Sequence, residues 1–148
     1  MTRGAPAPPP PEMPSPLGDL DVLIVDDQTT MRKIVRSLLA TSGIRRVREA
    51  ANGHEALAAL NDAEGQEIDL IIVDLHMPGM DGLTFCNHLR MSEALRARRI
   101  PVLVLTADRD HMVLDVVRQV GAADVIHKPI SAPDLRAHIE QITGIKHH

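Results

Sequence analysis

Val22-Leu23-Ile24-Val25-Asp26-Asp27 sets four apolar residues in a row before two carboxylates. The shape recurs as Leu70-Ile71-Ile72-Val73-Asp74 and as Val102-Leu103-Val104-Leu105-Thr106. A continuous apolar run this short, ending abruptly in a polar residue, is the mark of a strand covered on both faces, as in a parallel sheet. Two weaker runs, Val47 with its flanks and Val125-Ile126, fall at the spacing expected of two more strands. Helical patterns lie between them. Thr29 or Thr30 caps a helix through Ala40, with Ile34, Val35, Leu38 and Leu39 on one face and Gly43 as a left-handed stop. Residues 53–61 carry Ala56, Leu57 and Leu60, and residues 82–90 carry Leu83, Phe85, Cys86 and Leu89. Residues 110–120 place Val113, Val116, Val117 and Val120 on an inward stripe, with Met112 and Leu114 at its partly exposed edge. Ser131 caps a last helix, with Pro133 in its first turn and Leu135, Ile139 and Ile142 inward. Strand and helix thus alternate five times. Right-handed crossovers place the helices on both faces of one parallel sheet, a doubly wound α/β fold.

The remaining composition sets limits. The 148 residues suit one domain, and 44% hydrophobic with 24% charged residues is ordinary globular chemistry. One Phe and no Trp or Tyr leave the core to aliphatic residues and argue against base-stacking nucleic-acid folds. A net charge of −4 argues against an electrostatic grip on nucleic acid. A single cysteine, Cys86, excludes an internal disulfide and points to a reducing cytoplasm. No apolar run approaches the roughly 20 residues of a membrane helix. Seven of the eleven prolines lie in residues 1–16. The expected organisation is a disordered Pro-rich arm over residues 1–18, a folded domain over 19–143 and a tail over 144–148. The arm reads as a spacer, or as a docking motif for a Pro-binding partner.

Ligands of open α/β sheets bind at the carboxyl ends of the strands, so the polar residue at each strand end matters. Strand 1 delivers Asp26 and Asp27, strand 2 Glu49, strand 3 Asp74, strand 4 Thr106 and strand 5 Lys128. Any one of these acids alone reads as a turn residue. Three carboxylates in one crevice repel, and a hard divalent cation such as Mg²⁺ resolves the repulsion. A lysine and a hydroxyl beside them suit phosphoryl oxygens, and a carboxylate can itself take a phosphoryl group.

The segments VLIVDDQTTMRKIVRSLL (22–39), IIVDLHMPGMDG (71–82), PVLVLTA (101–107) and HKPI (127–130) resemble a bacterial response-regulator receiver domain. The first is particularly similar to chemotaxis receivers of the CheY type. The resemblance covers roughly residues 20–142. It implies a flavodoxin-like (βα)5 sheet of order 2-1-3-4-5, with Asp74 as phosphoacceptor. It implies Mg²⁺ bound by Asp27, Asp74 and the backbone carbonyl of His76, with Asp26 acting through a metal-bound water. Thr106 matches the switch hydroxyl, Lys128 the phosphoryl-contacting lysine before a cis Pro129, and Pro78, Gly79 and Gly82 the turn after Asp74. The chain departs from the family at Val125, where receivers usually carry Tyr or Phe. His76 and Asp108 fall where members vary and tune the lifetime of the phosphoryl bond.

The implied function is a single-domain response regulator in the cytoplasm, a monomer or weak dimer, not an enzyme toward other substrates. Its expected donor is a sensor histidine kinase or histidine phosphotransfer protein. Only six residues come after Ile142, too few for an output domain, so the expected output is binding to another protein, with the flagellar motor switch among the candidate targets. The alternatives are a phosphorelay intermediate or phosphate sink, and an adaptor that binds without phosphorylation. Neither nucleic acid nor membrane insertion is expected. The eight histidines scatter without zinc-site spacing. Cys86 reads as a core residue. Two basic knots, Arg45-Arg46-Arg48 and Arg96-Arg98-Arg99, read as solvated loop charge or as holders of a phosphate-bearing ligand.

Overall fold

The computed structural model describes residues 16–145. Five parallel strands form one sheet in the order β2-β1-β3-β4-β5. They are β1 (Asp21–Val25), β2 (Arg46–Ala50), β3 (Leu70–Asp74), β4 (Val102–Thr106) and β5 (Asp124–His127). The helices are α1 (Thr29–Thr41), α2 (Gly53–Asn61), α3 (Gly82–Met91), α4 (Glu93–Arg98), α5 (His111–Gln119) and α6 (Ala132–Thr143). Two short 3-10 turns, Pro16–Asp19 and Glu64–Glu67, precede β1 and β3.

The apolar runs divide by alternation. Leu23, Val25, Ile71, Val73, Val104 and Val125 face one side and pack with Ala56, Leu60, Phe85 and Val117 of α2, α3 and α5. Val22, Ile24, Ile72, Leu103, Leu105 and Ile126 face the other and pack with Val35, Leu39, Leu135 and Ile139 of α1 and α6. Period two thus survives inside continuous runs, because each face meets its own layer of helices. Parallel register then brings the carboxyl ends level: Val25 pairs with Val73, Asp74 with Leu105 and Thr106 with His127.

Several expectations need correction. Leu17, assigned to the arm, is fully buried, and Ile145, assigned to the tail, packs against the α1–α6 core. The reading of residues 1–15 as a disordered arm and of 146–148 as tail lies outside the described residues. Gln28 is the N-cap of α1, without a side-chain bond, so neither Thr29 nor Thr30 caps it. Ile34 and Val116 are exposed, whereas Leu114 is buried. A helix has a single face against the sheet, and α5 turns Leu114 and Val117 to it rather than the whole valine stripe. Helix α4 is an element the sequence reading lacks. It turns the second basic knot from loop into helix and its C-cap. Ser131 caps α6 through the Asp134 amide, and Gly43 stands at φ 84, as expected.

Candidate functional site

The site is built by where the strands stop. Asp26 comes directly after β1, and its amide donates to the Ala50 carbonyl at the end of β2. Asp74 is the last residue of β3 and Thr106 the last of β4. Lys128 comes directly after β5, its amide bonded to the Thr106 carbonyl, and the Lys128–Pro129 peptide is cis. The loop after Asp74 is closed tightly. The Gly82 amide donates to the Leu75 carbonyl at 2.8 Å, and α3 starts so near that a Cβ on Gly82 would stand 2.7 Å from the Asp74 carbonyl oxygen. Only glycine allows that approach.

Asp26, Asp27 and Asp74 converge: one carboxylate oxygen from each lies within 4.8 Å of the others. Asp26 and Asp74 are buried and Asp27 is exposed. Lys128 Nζ lies 3.1 Å from Asp74 Oδ1 and neutralises part of the cluster. Asp26 Oδ1 accepts from the Gln28 amide at 2.9 Å, but its Oδ2 is buried with no hydrogen-bond partner. Burial holds the Asp26 carboxyl above the usual carboxylate range. The charge on Asp74, and less strongly that on Asp27, pushes the same way, against the Gln28 amide and Lys128. An orphaned buried carboxylate oxygen beside two more carboxylates is a costly arrangement for a protein alone. It suits a small cation with hard oxygen ligands, and the donor set present fits Mg²⁺.

Thr106 is fully buried, and its Oγ1 accepts from the Asp108 amide at 2.9 Å. The side chain of His76 turns outward and lies 3.6 Å from Asp108 across the mouth of the crevice. Among the described residues no histidine joins the carboxylate cluster. Val125 is buried inside β5. Cys86 is buried, and loss of solvation, aided by the charge of Asp81, pushes its thiol up to about 12.

One supporting residue escapes the sequence reading. Arg32 of α1 donates to the Asp26 carbonyl at 2.6 Å and to Glu49 at 3.1 Å, and Arg36 holds Glu49 from the next turn. This ties α1 to the ends of β1 and β2. The backbone acceptor has no sequence signature, but Arg32 and Arg36 one turn apart opposite Glu49 could have suggested a pairing. The basic knots are tied down in part. Arg48 pairs with Asp62, and Arg98 donates to the carbonyls of Leu60, Gly65 and Ile68.

With this geometry established, the family model for the response regulator receiver domain is found to match residues 22–140. The chain belongs to the response regulator receiver family. This receiver is 34% identical over 124 residues to chemotaxis protein CheY-3 of Vibrio cholerae, covering 84% of this chain and 92% of that protein. Chemotaxis protein CheY of Pseudomonas aeruginosa is also 34% identical, over 83% of this chain and 95% of its own. The solved structure of Vibrio cholerae CheY4 superposes with a TM-score of 0.73 at 32% identity, covering 83% and 98% of the two chains. The receiver domain of a signal transduction histidine kinase from Syntrophus aciditrophicus superposes at 0.72 with 33% identity, covering 85% and 92%. The 2-1-3-4-5 flavodoxin-like fold is that of these neighbours. Among the described residues no helix is long and apolar enough to cross a membrane.

Proposed function

We propose that the chain is a phosphorylation-controlled signalling protein in which Asp74 accepts a phosphoryl group from a histidine kinase or histidine phosphotransfer protein. The observation that carries this is the contact of Lys128 Nζ with Asp74 Oδ1 inside a cluster of three carboxylates at the sheet edge. Asp27, Asp74 and the His76 carbonyl would hold Mg²⁺ directly, and Asp26 through water. When bound, the cation neutralises the carboxylates and the phosphoryl oxygens. A carboxylate oxygen of Asp74 forms the new P–O bond as the donor's P–N bond breaks, and the departing imidazole takes a proton from solvent. Lys128 transfers its contact from Asp74 to a phosphoryl oxygen.

Thr106 supplies the link to the surface. Its oxygen accepts from the Asp108 amide, so its hydroxyl hydrogen is available to a phosphoryl oxygen. Moving that hydroxyl draws on the loop over Asp108 and Asp110, and Asp110 caps α5 through the Met112 amide. The α5–β5–α6 face therefore responds through the start of α5, where Met112 is exposed, and not through a rotating aromatic at Val125. Valine is short, and its χ1 has few choices. Two of the relatives are named as chemotaxis proteins, which supports a chemotactic or flagellar target in the cytoplasm.

The test is acid-labile incorporation from acetyl phosphate with and without Mg²⁺. Asp74→Asn should abolish it. Asp27→Ala should remove the Mg²⁺ dependence of the melting temperature, and Lys128→Ala should leave that dependence while impairing the response to phosphorylation. Full labelling of Asp74→Asn would overturn the assignment.

A further inference from the structure

A cavity lies at the edge of the sheet opposite Asp74. It opens at the start of β4, among α3, α4 and the end of α5, and holds about 130 Å³. Leu89, Leu95, Ile100 and Val120 wall it with apolar groups, and Arg90, Arg96 and Arg99 line it as well. Room of this size takes a phenyl ring or a branched alkyl group, since an apolar cavity of about 150 Å³ holds benzene.

The arginines of this edge differ among themselves, and Arg96 and Arg99 are exposed. Arg98, between two of them in sequence, spends its guanidinium on three carbonyls. Among the described residues the side chains of Arg96 and Arg99 make no hydrogen bond or ion pair. Arg90 is fixed in place: it donates to the Gln119 carbonyl at 2.8 Å, and its stem lies where a Cβ on Gly121 would come within 3.2 Å. Arg99 stands at φ 52, the one non-glycine residue with positive φ among those described. That conformation is disfavoured for any residue with a Cβ. An arginine therefore occupies a helix C-cap where glycine would fit without strain, and it does so at the rim of an apolar cavity.

We propose that this cavity binds a small organic anion, with an apolar body of phenyl or isobutyl size inside and a carboxylate or phosphate held by Arg96 and Arg99. The guanidinium fork matches such oxygens two at a time. The sheet edge involved is not the one that carries Asp74, so the site is separate from the receiver chemistry and stands whether or not Asp74 is phosphorylated.

Methyl-resolved NMR of the full chain tests this with three probes: phenylacetate, acetate and benzyl alcohol. Phenylacetate should shift the methyls of Ile100, Val102 and Val120 saturably and bind at least tenfold more tightly than either half-ligand. Arg96→Gln combined with Arg99→Gln should weaken phenylacetate at least tenfold. Arg99→Gly separates binding from structure: relief of the left-handed conformation should raise the melting temperature while phenylacetate binding falls. Equal responses to the three probes, shifts that do not saturate, shifts confined to the Asp74 edge, or unchanged affinity in the double variant would each overturn the proposal.

Discussion

Asp26→Asn should stabilise the protein in EDTA and lose that advantage in Mg²⁺. Asp26 is 2% exposed, and its Oδ2 has no partner. Carboxylate oxygens of Asp27 and Asp74 stand within 4.8 Å. At an effective dielectric of about 20, two unit charges at that distance repel by about 3.5 kcal/mol. Lys128, on Asp74, offsets much of this. Asparagine keeps an oxygen for the Gln28 amide and removes the charge, so a net gain of about 1–2 kcal/mol is expected. The pH dependence comes from the raised pKa of Asp26. Folded wild type binds more protons here than unfolded chain, so its penalty is present above the raised folded value and is relieved as pH falls through it. The advantage of the variant is therefore full at neutral pH and gone below the ordinary value of 3.8. With Mg²⁺ at about a hundredfold over its dissociation constant, wild type gains about 2.7 kcal/mol, much of which the variant forgoes, and the order reverses. Urea denaturation in EDTA and in Mg²⁺ at pH 7, and in EDTA as the pH is lowered through 3.8, reads all of this. Destabilisation of Asp26→Asn by 1 kcal/mol or more in EDTA at pH 7 would refute the repulsion argument and make Asp26 a structural cap, on the scale of about 0.5–2 kcal/mol for such bonds.

Arg98→Ala should destabilise by about 2–3 kcal/mol, because three carbonyls lose a charged donor; urea midpoints at constant m-value would show it. Arg99→Gly should stabilise by about 0.5–1 kcal/mol in the same assay, since glycine adopts a positive φ without strain. Cys86, buried and with its pKa pushed up to about 12, should resist iodoacetamide at pH 8 until the chain is unfolded. Alkylation of the native protein as fast as that of unfolded chain would contradict its placement.

Strands β1, β3 and β4 are legible because both faces of a central parallel strand are covered, which leaves compact apolar runs, whereas β2 and β5 at the sheet edges show only weak ones. The site was legible for a related reason. Polar residues placed at the ends of such runs share one edge, so the sequence alone groups Asp26, Asp27, Asp74, Thr106 and Lys128. The features that escaped depend on neighbours distant in sequence. Helix α4 is six residues long, too short to show a period, although Ser92 caps it. Leu17 sits among prolines and reads as arm, yet it packs with α1 and α6. Ile34 and Val116 carry the right residue type on the wrong side of their helices. Arg98 reads as solvated charge because its acceptors are carbonyls up to 38 residues away.

The most direct measurement is mass spectrometry after reaction with acetyl phosphate: the intact mass counts phosphoryl groups, and borohydride reduction, which expels phosphate and leaves homoserine, marks the residue that carried one. One phosphoryl group per unreduced chain and homoserine in place of Asp74 after reduction, both present with Mg²⁺, absent with EDTA and absent in Asp74→Asn, is the result expected. Label on a histidine, on Asp26 or Asp27, or on Asp74→Asn at wild-type stoichiometry would contradict a receiver that works through Asp74.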